Sequence, residues 1–370
     1  MKKSEELYYL INSLSKSEIR YIKLFLNRKD SILERLFDAI KKQTSYDEKA
    51  IKDTFSKEKF INQLTTTKYH LRKLILKALR SYEKEQFEID ELLANVQILF
   101  DKGLYSICKA ELKRADRLAH EQENFPALIR IQEWERKLHL ILHPADHVYI
   151  KKCINKQNEY AIRLSNISSL WIENIDVENA PLRYEVDIEN YSIKERILVY
   201  LINYRKYLYN LDYTMALGTL RSIQSLLLNN PGYLKKDPQL FINNQNNLSA
   251  FLIFRNELDE SLKETQSTKT YIDKQKKWNA PLIKSLFRTY NTELEIYRMS
   301  NQLDKAKSFI EEVITHPSFH QNKMPMDYRL SFYFQFAYIF FLDQDFKSAI
   351  SWLNKVLDHP QRELRSDIMM

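Results

Sequence analysis

Apolar positions recur with a helical period along most of the chain. Ser15-Lys16-Ser17-Glu18 reads as a helix start, with Ser15 able to cap and Glu18 three residues on to close a capping box. Ile19, Ile22 and Leu26, with Tyr21 and Phe25, then follow at helical spacing. Residues 31–42 set Leu33, Leu36, Phe37 and Ile40 on one side, and Asp47-Glu48-Lys49-Ala50-Ile51 starts a third helix. A longer helix is expected over residues 57–85. Phe60, Leu64, Leu71, Leu74, Ile75, Ala78, Leu79 and Tyr82 share one face of it. Lys73, Lys77, Arg80 and Lys84 line the opposite face, with Lys68 and Arg72 flanking the apolar stripe. From residue 88 onward the helices come in pairs. Residues 103–108 read as a turn into a helix with Cys108 in a small-residue slot, where a thiol packs rather than reacts. Residues 125–165 give a further pair broken at His143-Pro144, and residues 166–190 show no clean period and read as an irregular connector.

The second half repeats itself. Leu211-Asp212-Tyr213-Thr214-Met215-Ala216, Leu258-Asp259-Glu260-Ser261, Leu303-Asp304-Lys305-Ala306 and Asp345-Phe346-Lys347-Ser348-Ala349 are the same turn-and-helix signature, and their small residues stand 45, 45 and 43 positions apart. Two units also end alike, at Thr315-His316-Pro317 and Asp358-His359-Pro360. Such self-similarity marks helical solenoids. In the last unit a tight turn at Asp343-Gln344-Asp345 separates a helix carrying Phe336, Phe340 and Phe341 from one carrying Ala349, and a small residue opposite aromatics lets antiparallel helices approach closely.

Residues 337–360 resemble a tetratricopeptide repeat, with Ala337, Phe340, Ala349 and Pro360 at or beside the positions of its pattern. The period here exceeds the 34 residues of that repeat, with the excess in longer helices and in links such as residues 231–238. The resemblance implies an all-α protein: an α-α superhelix, a tetratricopeptide-like solenoid, over residues 87–370 with its best units in 191–370, preceded by a small basic helical domain over residues 1–86. The opening LSKSEIRYIKLF also resembles the start of many bacterial proteins of this general size, which implies no function.

Composition narrows the class. Three glycines and nine prolines are too few for the turns of sheets, and no two glycines stand close enough to cradle a phosphate. Two cysteines build no disulfide framework. The N-terminus lacks the apolar core of a signal peptide, and the greasiest run, residues 330–342, is shorter than a membrane span and fits a buried helix. A cytoplasmic protein without membrane contact and without a cofactor is expected. Residues 1–90 hold 20 Lys and Arg against 14 Asp and Glu, so most of the +8 net charge lies in the first quarter. That balance suits nucleic acid, and equally suits a helical domain with solvated lysine faces.

Candidate chemistry is sparse. His139, His143 and His147 are spaced by four, as zinc-binding pairs can be, but Pro144 ends the helix between them and leaves His143 near a C-terminal dipole. His316 and His359 precede prolines at repeat ends and read as structural. No nucleophile–base grouping stands out, so no enzyme is expected. In peptide-clamping tetratricopeptide arrays, Asn, Lys and Arg of each first helix hold a carboxylate in the concave groove. The resemblance places Arg205 in one such slot, Asn243 and Asn246 in the next, Arg288, Asn291 and Arg298 in the third, and Phe334, Tyr338 and Phe341 at an apolar end. The same residues also suit ordinary inter-repeat contacts. Tyr200, Tyr204, Tyr207 and Tyr209 crowd the first of these helices and read as packing. The expected activity is non-catalytic binding of a protein or peptide partner. The alternative is a nucleic-acid-binding regulator, with a helix-turn-helix-like N-terminal domain using Lys73, Lys77, Arg80 and Lys84 together with Asn62, Gln63 and Thr65 to Thr67. Self-association through the aromatic end gives a homo-oligomer as a further outcome.

Overall fold

The structure is a computed structural model that describes residues 5–26, 32–183, 188, 190–275, 279–319, 324 and 326–364, with the side chains of residues 84–86 and 236 outside the description. It is all-α, and the described residues contain no strand. None of their helices is long and apolar enough to cross a membrane. The chain forms two compact units, one of residues 1–118 with 133–150, the other of residues 119–132 with 151–370. This grouping places 87–118 and 133–150 with the N-terminal residues, where the sequence reading drew its boundary at 86.

The first unit contains α1 (Glu6–Ser13), α2 (Lys16–Leu26), α3 (Ile32–Lys41), α4 (Glu48–Thr54), a 3-10 turn (Lys59–Gln63), α5 (Leu64–Tyr82), α6 (Lys84–Asp101) and the start of α7 (Tyr105–Glu121). The capping box forms: the Ser15 N–H donates to Glu18 Oε2 at 2.6 Å and the Glu18 N–H to Ser15 Oγ at 3.3 Å. Asp47 likewise caps α4 by accepting from the N–H groups of Lys49 and Ala50. Leu7, Ile11, Ile22, Leu36, Phe37, Ile40, Ile51, Leu71 and Ile75 bury one core. The single helix expected over 57–85 is instead a 3-10 turn, then α5, then a break at Glu83 before α6. One carboxylate ties three parts of this unit together. Glu48 accepts from the Lys68 ammonium at 3.1 Å and the Tyr46 hydroxyl at 2.9 Å and pairs with Lys52 at 3.1 Å.

The remaining helices are α8 (Phe125–Leu142), α9 (His147–Ile175), α10 (Ile193–Tyr209), α11 (Tyr213–Leu228), α12 (Pro231–Lys236), α13 (Pro238–Phe254), α14 (Leu258–Asp273), α15 (Ala280–Met299), α16 (Leu303–Thr315), α17 (Met326–Leu342) and α18 (Phe346–Leu357). Pro144 ends α8 as expected. The region read as a connector is helical for its first ten residues, because α9 runs on to Ile175. The 231–238 link holds α12, and Pro238 opens α13 at a position where its missing N–H removes no helical bond.

One turn recurs in both units. Every described residue with positive φ sits in it: Gly103, Glu123, Leu211, Asn256, Asn301 and Gln344. Each donates its N–H to the carbonyl three residues back, and the next residue donates to the carbonyl five back at 2.8–2.9 Å, which satisfies the last carbonyls of the first helix. That next residue is also the N-cap of the second helix. Its carbonyl accepts from the N–H four residues on, at 2.9–3.0 Å in all six turns. The N–H donors are Cys108, Leu128, Ala216, Ser261, Ala306 and Ala349, and all six residues are buried. The small-residue period of the sequence is thus the period of a turn with no spare residue between its helices. Glu123 adds a function to its strained backbone, since its carboxylate accepts the N–H groups of Ile193 at 2.8 Å and Lys194 at 3.0 Å at the start of α10.

Within the second unit α10 packs on α11, α13 on α14, α15 on α16 and α17 on α18, and each later pair packs on the one before through α11–α13, α14–α15 and α16–α17. Between Thr315 and α17, and again after α18, a His-Pro step ends the pair in the same way. Nδ1 of His316 accepts the Ser318 N–H at 3.2 Å, and Nδ1 of His359 accepts the Gln361 N–H at 3.1 Å. Burial pushes the His316 imidazole below its ordinary pKa and so favours the neutral ring that can accept.

Two consequences are measurable. Leu211 is 69 % exposed and sits at φ 59°, so Leu211→Gly removes left-handed strain with little loss of packing. A gain of about 1 kcal/mol in urea unfolding is expected, and a loss would mean that the Leu211 side chain supports the turn. Hydrogen bonds from Lys68, Lys52 and Tyr46 hold Glu48 down at about 2, below its ordinary 4.5. A depressed carboxylate stabilises the fold fully above its unfolded pKa and loses that contribution as pH falls toward its folded one. Stability should therefore drop between about pH 4.5 and 2, and Glu48→Gln should be weaker at pH 7 with a shallower acid fall. A parallel pair of curves would remove the assignment.

Candidate functional site

Three of the four expected groove slots lie on α13, α15 and α17, and the structure sorts their residues into committed and available ones. α13 carries five consecutive amides, Asn243-Asn244-Gln245-Asn246-Asn247. Asn is a poor helix former, and three of these side chains are buried, so neighbours must hold them. The Asn244 amide donates to the Leu220 carbonyl at 3.1 Å on α11, and the Gln245 amide to Glu264 at 2.8 Å on α14. Asn246 reaches α15, donating to the Ser285 carbonyl at 3.3 Å and accepting from the Thr289 hydroxyl at 2.9 Å. It is therefore an inter-helix residue and presents nothing to a partner. Asn243 is exposed but accepts from Gln239 and Ser285. Arg205 lies apart, with its guanidinium bonded to the Asn174 carbonyl at the end of α9.

Arg288 is different. It is part-buried on α15, and its Nη2 donates to Asn247 Oδ1 at 2.8 Å. Burial holds the guanidinium below the usual arginine range, and the nearest titratable groups acting on it are the Tyr328 and Tyr204 hydroxyls. Arg288 on α15 thus contacts α13 through Asn247 and feels the hydroxyls of Tyr204 on α10 and Tyr328 on α17. One turn earlier on α15, Lys284 lies over the Tyr328 ring at 5.4 Å. Among the described residues no carboxylate lies within ion-pair distance of Lys284 or Arg288.

The other buried charges of this unit make the contrast. Glu195 is buried and pairs with Arg163 at 2.9 Å, and Glu293 is buried and pairs with Lys269 at 2.9 Å and the Tyr297 hydroxyl at 2.9 Å. Each buried acid has its base, whereas Arg288 has only an amide. Asn291, three residues on, has an Oδ1 that is buried without a hydrogen-bond partner, as does Gln335 on α17 through its Oε1. Near the end of α15 the Arg298 guanidinium stacks over the Tyr338 ring at 4.8 Å and donates to Glu295 at 3.3 Å. Tyr338 and Phe341 are exposed, and Phe341 packs edge-on against Phe346 at 5.8 Å. The expected cluster of Arg288, Asn291, Arg298 and Tyr338 is placed on adjacent helices. Lys284, Asn247, Tyr204 and Tyr328 are additions to it. The sequence reading missed Asn247, and the run of five amides in an otherwise apolar helix is the signal that could have found it.

A concavity of about 250 Å3 lies near the start of α10, away from Arg288, lined by His120, Tyr160, Arg163 and Ser192 among others. His120 and Tyr160 are bonded to each other at 3.0 Å, and Arg163 to the Asn190 carbonyl at 2.6 Å as well as to Glu195.

In the first unit Lys73, Lys77 and Arg80 lie exposed along α5 with Tyr69, and Lys77 lies 6.0 Å from the Phe25 ring. The Lys84 side chain falls outside the described residues. Asn62, Gln63, Thr65 and Thr66 are exposed at the start of the same helix. Lys68 and Arg72, by contrast, are engaged with Glu48 and Glu6. His139 bonds Asp146 at 3.0 Å and stacks on Tyr149 at 4.0 Å, while Asp146 caps α9. This staples the α8–α9 junction, and no group of three possible metal ligands occurs among the described residues.

No family model, no curated protein and no solved structure matches the chain.

Replacing a charge that the fold does not pair should leave stability unharmed. Arg288→Met is expected to leave the unfolding midpoint unchanged or raised, whereas Asn246→Ala, which strips buried partners, should cost about 1–3 kcal/mol. A large loss in Arg288→Met would mark Arg288 as structural.

Proposed function

We propose that the chain is a non-catalytic protein- or peptide-binding protein whose helix pairs from residue 191 onward stack as a tetratricopeptide-like array. The partner lies along the face formed by α10, α13, α15 and α17. The observation that carries this reading is the pair of cations Lys284 and Arg288 one turn apart on α15, neither with a described carboxylate in ion-pair distance. A guanidinium in such a place is uncompensated in the free protein, and an incoming carboxylate supplies what is missing. Asn291, one turn along, has a buried Oδ1 without a hydrogen-bond partner, an acceptor that a side-chain rotation on binding turns toward a peptide N–H. Arg298, Tyr338 and Phe341 then provide a stacked cation and exposed rings for apolar side chains. An extended segment with a carboxylate at one end and apolar residues beside it fits this order.

The exposed stripe of Lys73, Lys77 and Arg80 supports a second reading, in which the first unit binds nucleic acid phosphates while the second holds a regulator. The two readings separate in one experiment. Tagged protein is recovered from native lysate with and without nuclease, and what accompanies it is identified. A nuclease-resistant protein partner favours the peptide face. Its binding should fall at least tenfold in the Arg288→Ala, Asn291→Ala double variant with no drop in melting temperature. Unchanged affinity in that folded variant removes the groove. Bound nucleic acid, with affinity that falls steeply with salt and a slope flattened by replacing Lys73, Lys77 and Arg80, favours the second reading.

A further inference from the structure

The last helix pair leaves a face open that every earlier pair covers. Four residues beyond the small residue of each pair stand Leu220, Thr265, Ile310 and Leu353. The first three are at most 1 % exposed, on α11, α14 and α16, which pack against α13, α15 and α17 respectively, while Leu353 is 38 % exposed. The exposure is not confined to one residue. Phe346, Ile350, Leu353 and Leu357 are all open, at spacings of four, three and four. This is the a/d seam of a coiled coil, the pattern that a helix presents to another helix. The adjoining face of α18, about a quarter-turn round the helix, is occupied, since Ala349 and Val356 are buried.

We infer that this seam is the contact through which two copies of the chain associate, α18 against α18 in antiparallel register. The four-three-four spacing reads the same from either end. Antiparallel approach therefore sets Phe346 against Leu357 and Ile350 against Leu353 of the other copy, twice over, as a two-fold interface demands. The flanking position on the exposed side carries Lys347 and Asn354, which this register brings together across the interface without opposing like charges. The extent suffices as well. Five open side chains (those four with Leu342) offer on the order of 100 Å2 each, or roughly 1,000 Å2 over both copies, in the range of weak, reversible interfaces. An association in the micromolar range is expected. This surface is distinct from Lys284 and Arg288, so the inference does not depend on the peptide reading.

Sedimentation equilibrium of the full chain from about 1 to 100 μM tests it. The expected result is a reversible monomer–dimer equilibrium that the Ile350→Glu, Leu353→Glu double variant weakens at least tenfold, with unchanged helix content by circular dichroism. Both residues are exposed in the single chain, so the variant should fold. The register is read separately by cross-linking. Ile350→Cys mixed with Leu353→Cys should form disulfide-linked pairs faster than either alone, the native Cys108 and Cys153 being buried. A chain that stays monomeric across the range, or a dimer indifferent to the glutamates, overturns the inference. So does a monomer that forms a one-to-one complex with a different helical protein through this face. Cross-links confined to like variants overturn the antiparallel register.

Discussion

The architecture depends on how a helix ends when another must begin at once. Four C-terminal carbonyls of the first helix and four N-terminal N–H groups of the second need partners, and no loop is there to supply them. The six left-handed turns meet this need with two backbone bonds and a shared residue that closes one helix while capping the next. This geometry also dictates the packing just beyond the turn. The second helix leaves the turn close against the first, and five residues past the left-handed one a side chain is always buried. Alanine, serine or cysteine fits there in five cases. In the sixth, Leu128 is accommodated at the Glu123 turn. Only Gly103 has the residue type that such a conformation favours. Asn256 and Asn301 tolerate it, and Leu211, Gln344 and Glu123 are held there by the rest of the turn.

Charge inside the second unit follows a pattern in which the buried acids Glu195 and Glu293 are paired and the part-buried Arg288 is not. Each buried amide of α13 reaches a different neighbour, α11, α14 or α15. Buried acids have bases. A polar group enclosed without compensation lowers stability, and natural chains tolerate it where binding restores the missing partner. Arg288 is part-buried, and Asn247, which accepts its hydrogen bond, brings no carboxylate to it. The arrangement holds the guanidinium in place without neutralising it, which is what a preorganised anion-binding group requires.

Much of the fold was legible from the chain. The recurring small residues marked the helix pairs, because the turn sets each of them five positions past its left-handed residue. Ser15 with Glu18, and Asp47, announced their helices through capping chemistry that acts within three residues. What misled was of longer range. The 57–85 helix breaks at Glu83 and the 166–190 segment continues as helix to Ile175, and periodicity weighs neither case against its tertiary surroundings. For the site, the sequence placed Arg288, Asn291, Arg298 and Tyr338 on neighbouring helices. It failed to distinguish Asn246 from Asn247: adjacent residues of a helix point about 100° apart, and that angle separates a buried bond to Thr289 from a contact to Arg288. Such a distinction lies in the register of α13 against α15, which no single helix encodes.

The open face of α18 and the part-buried charge of Arg288 are opposite departures from the same packing rule, and they differ in what removes them. An apolar stripe is satisfied by any surface of matching shape, because burial is non-directional and scales with area. A second copy, carrying the same seam, meets that condition whenever concentration allows. An unpaired guanidinium is satisfied only by an anion presented at the right height and angle, and a second copy's seam of Phe346, Ile350, Leu353 and Leu357 carries none. The two surfaces therefore select for different occupants. Self-association through α18 leaves the Arg288 face free in each copy, so a dimer would offer two such faces to a partner. A partner with two acidic segments would then be held more tightly than either segment alone, provided that its linker spans the distance between them.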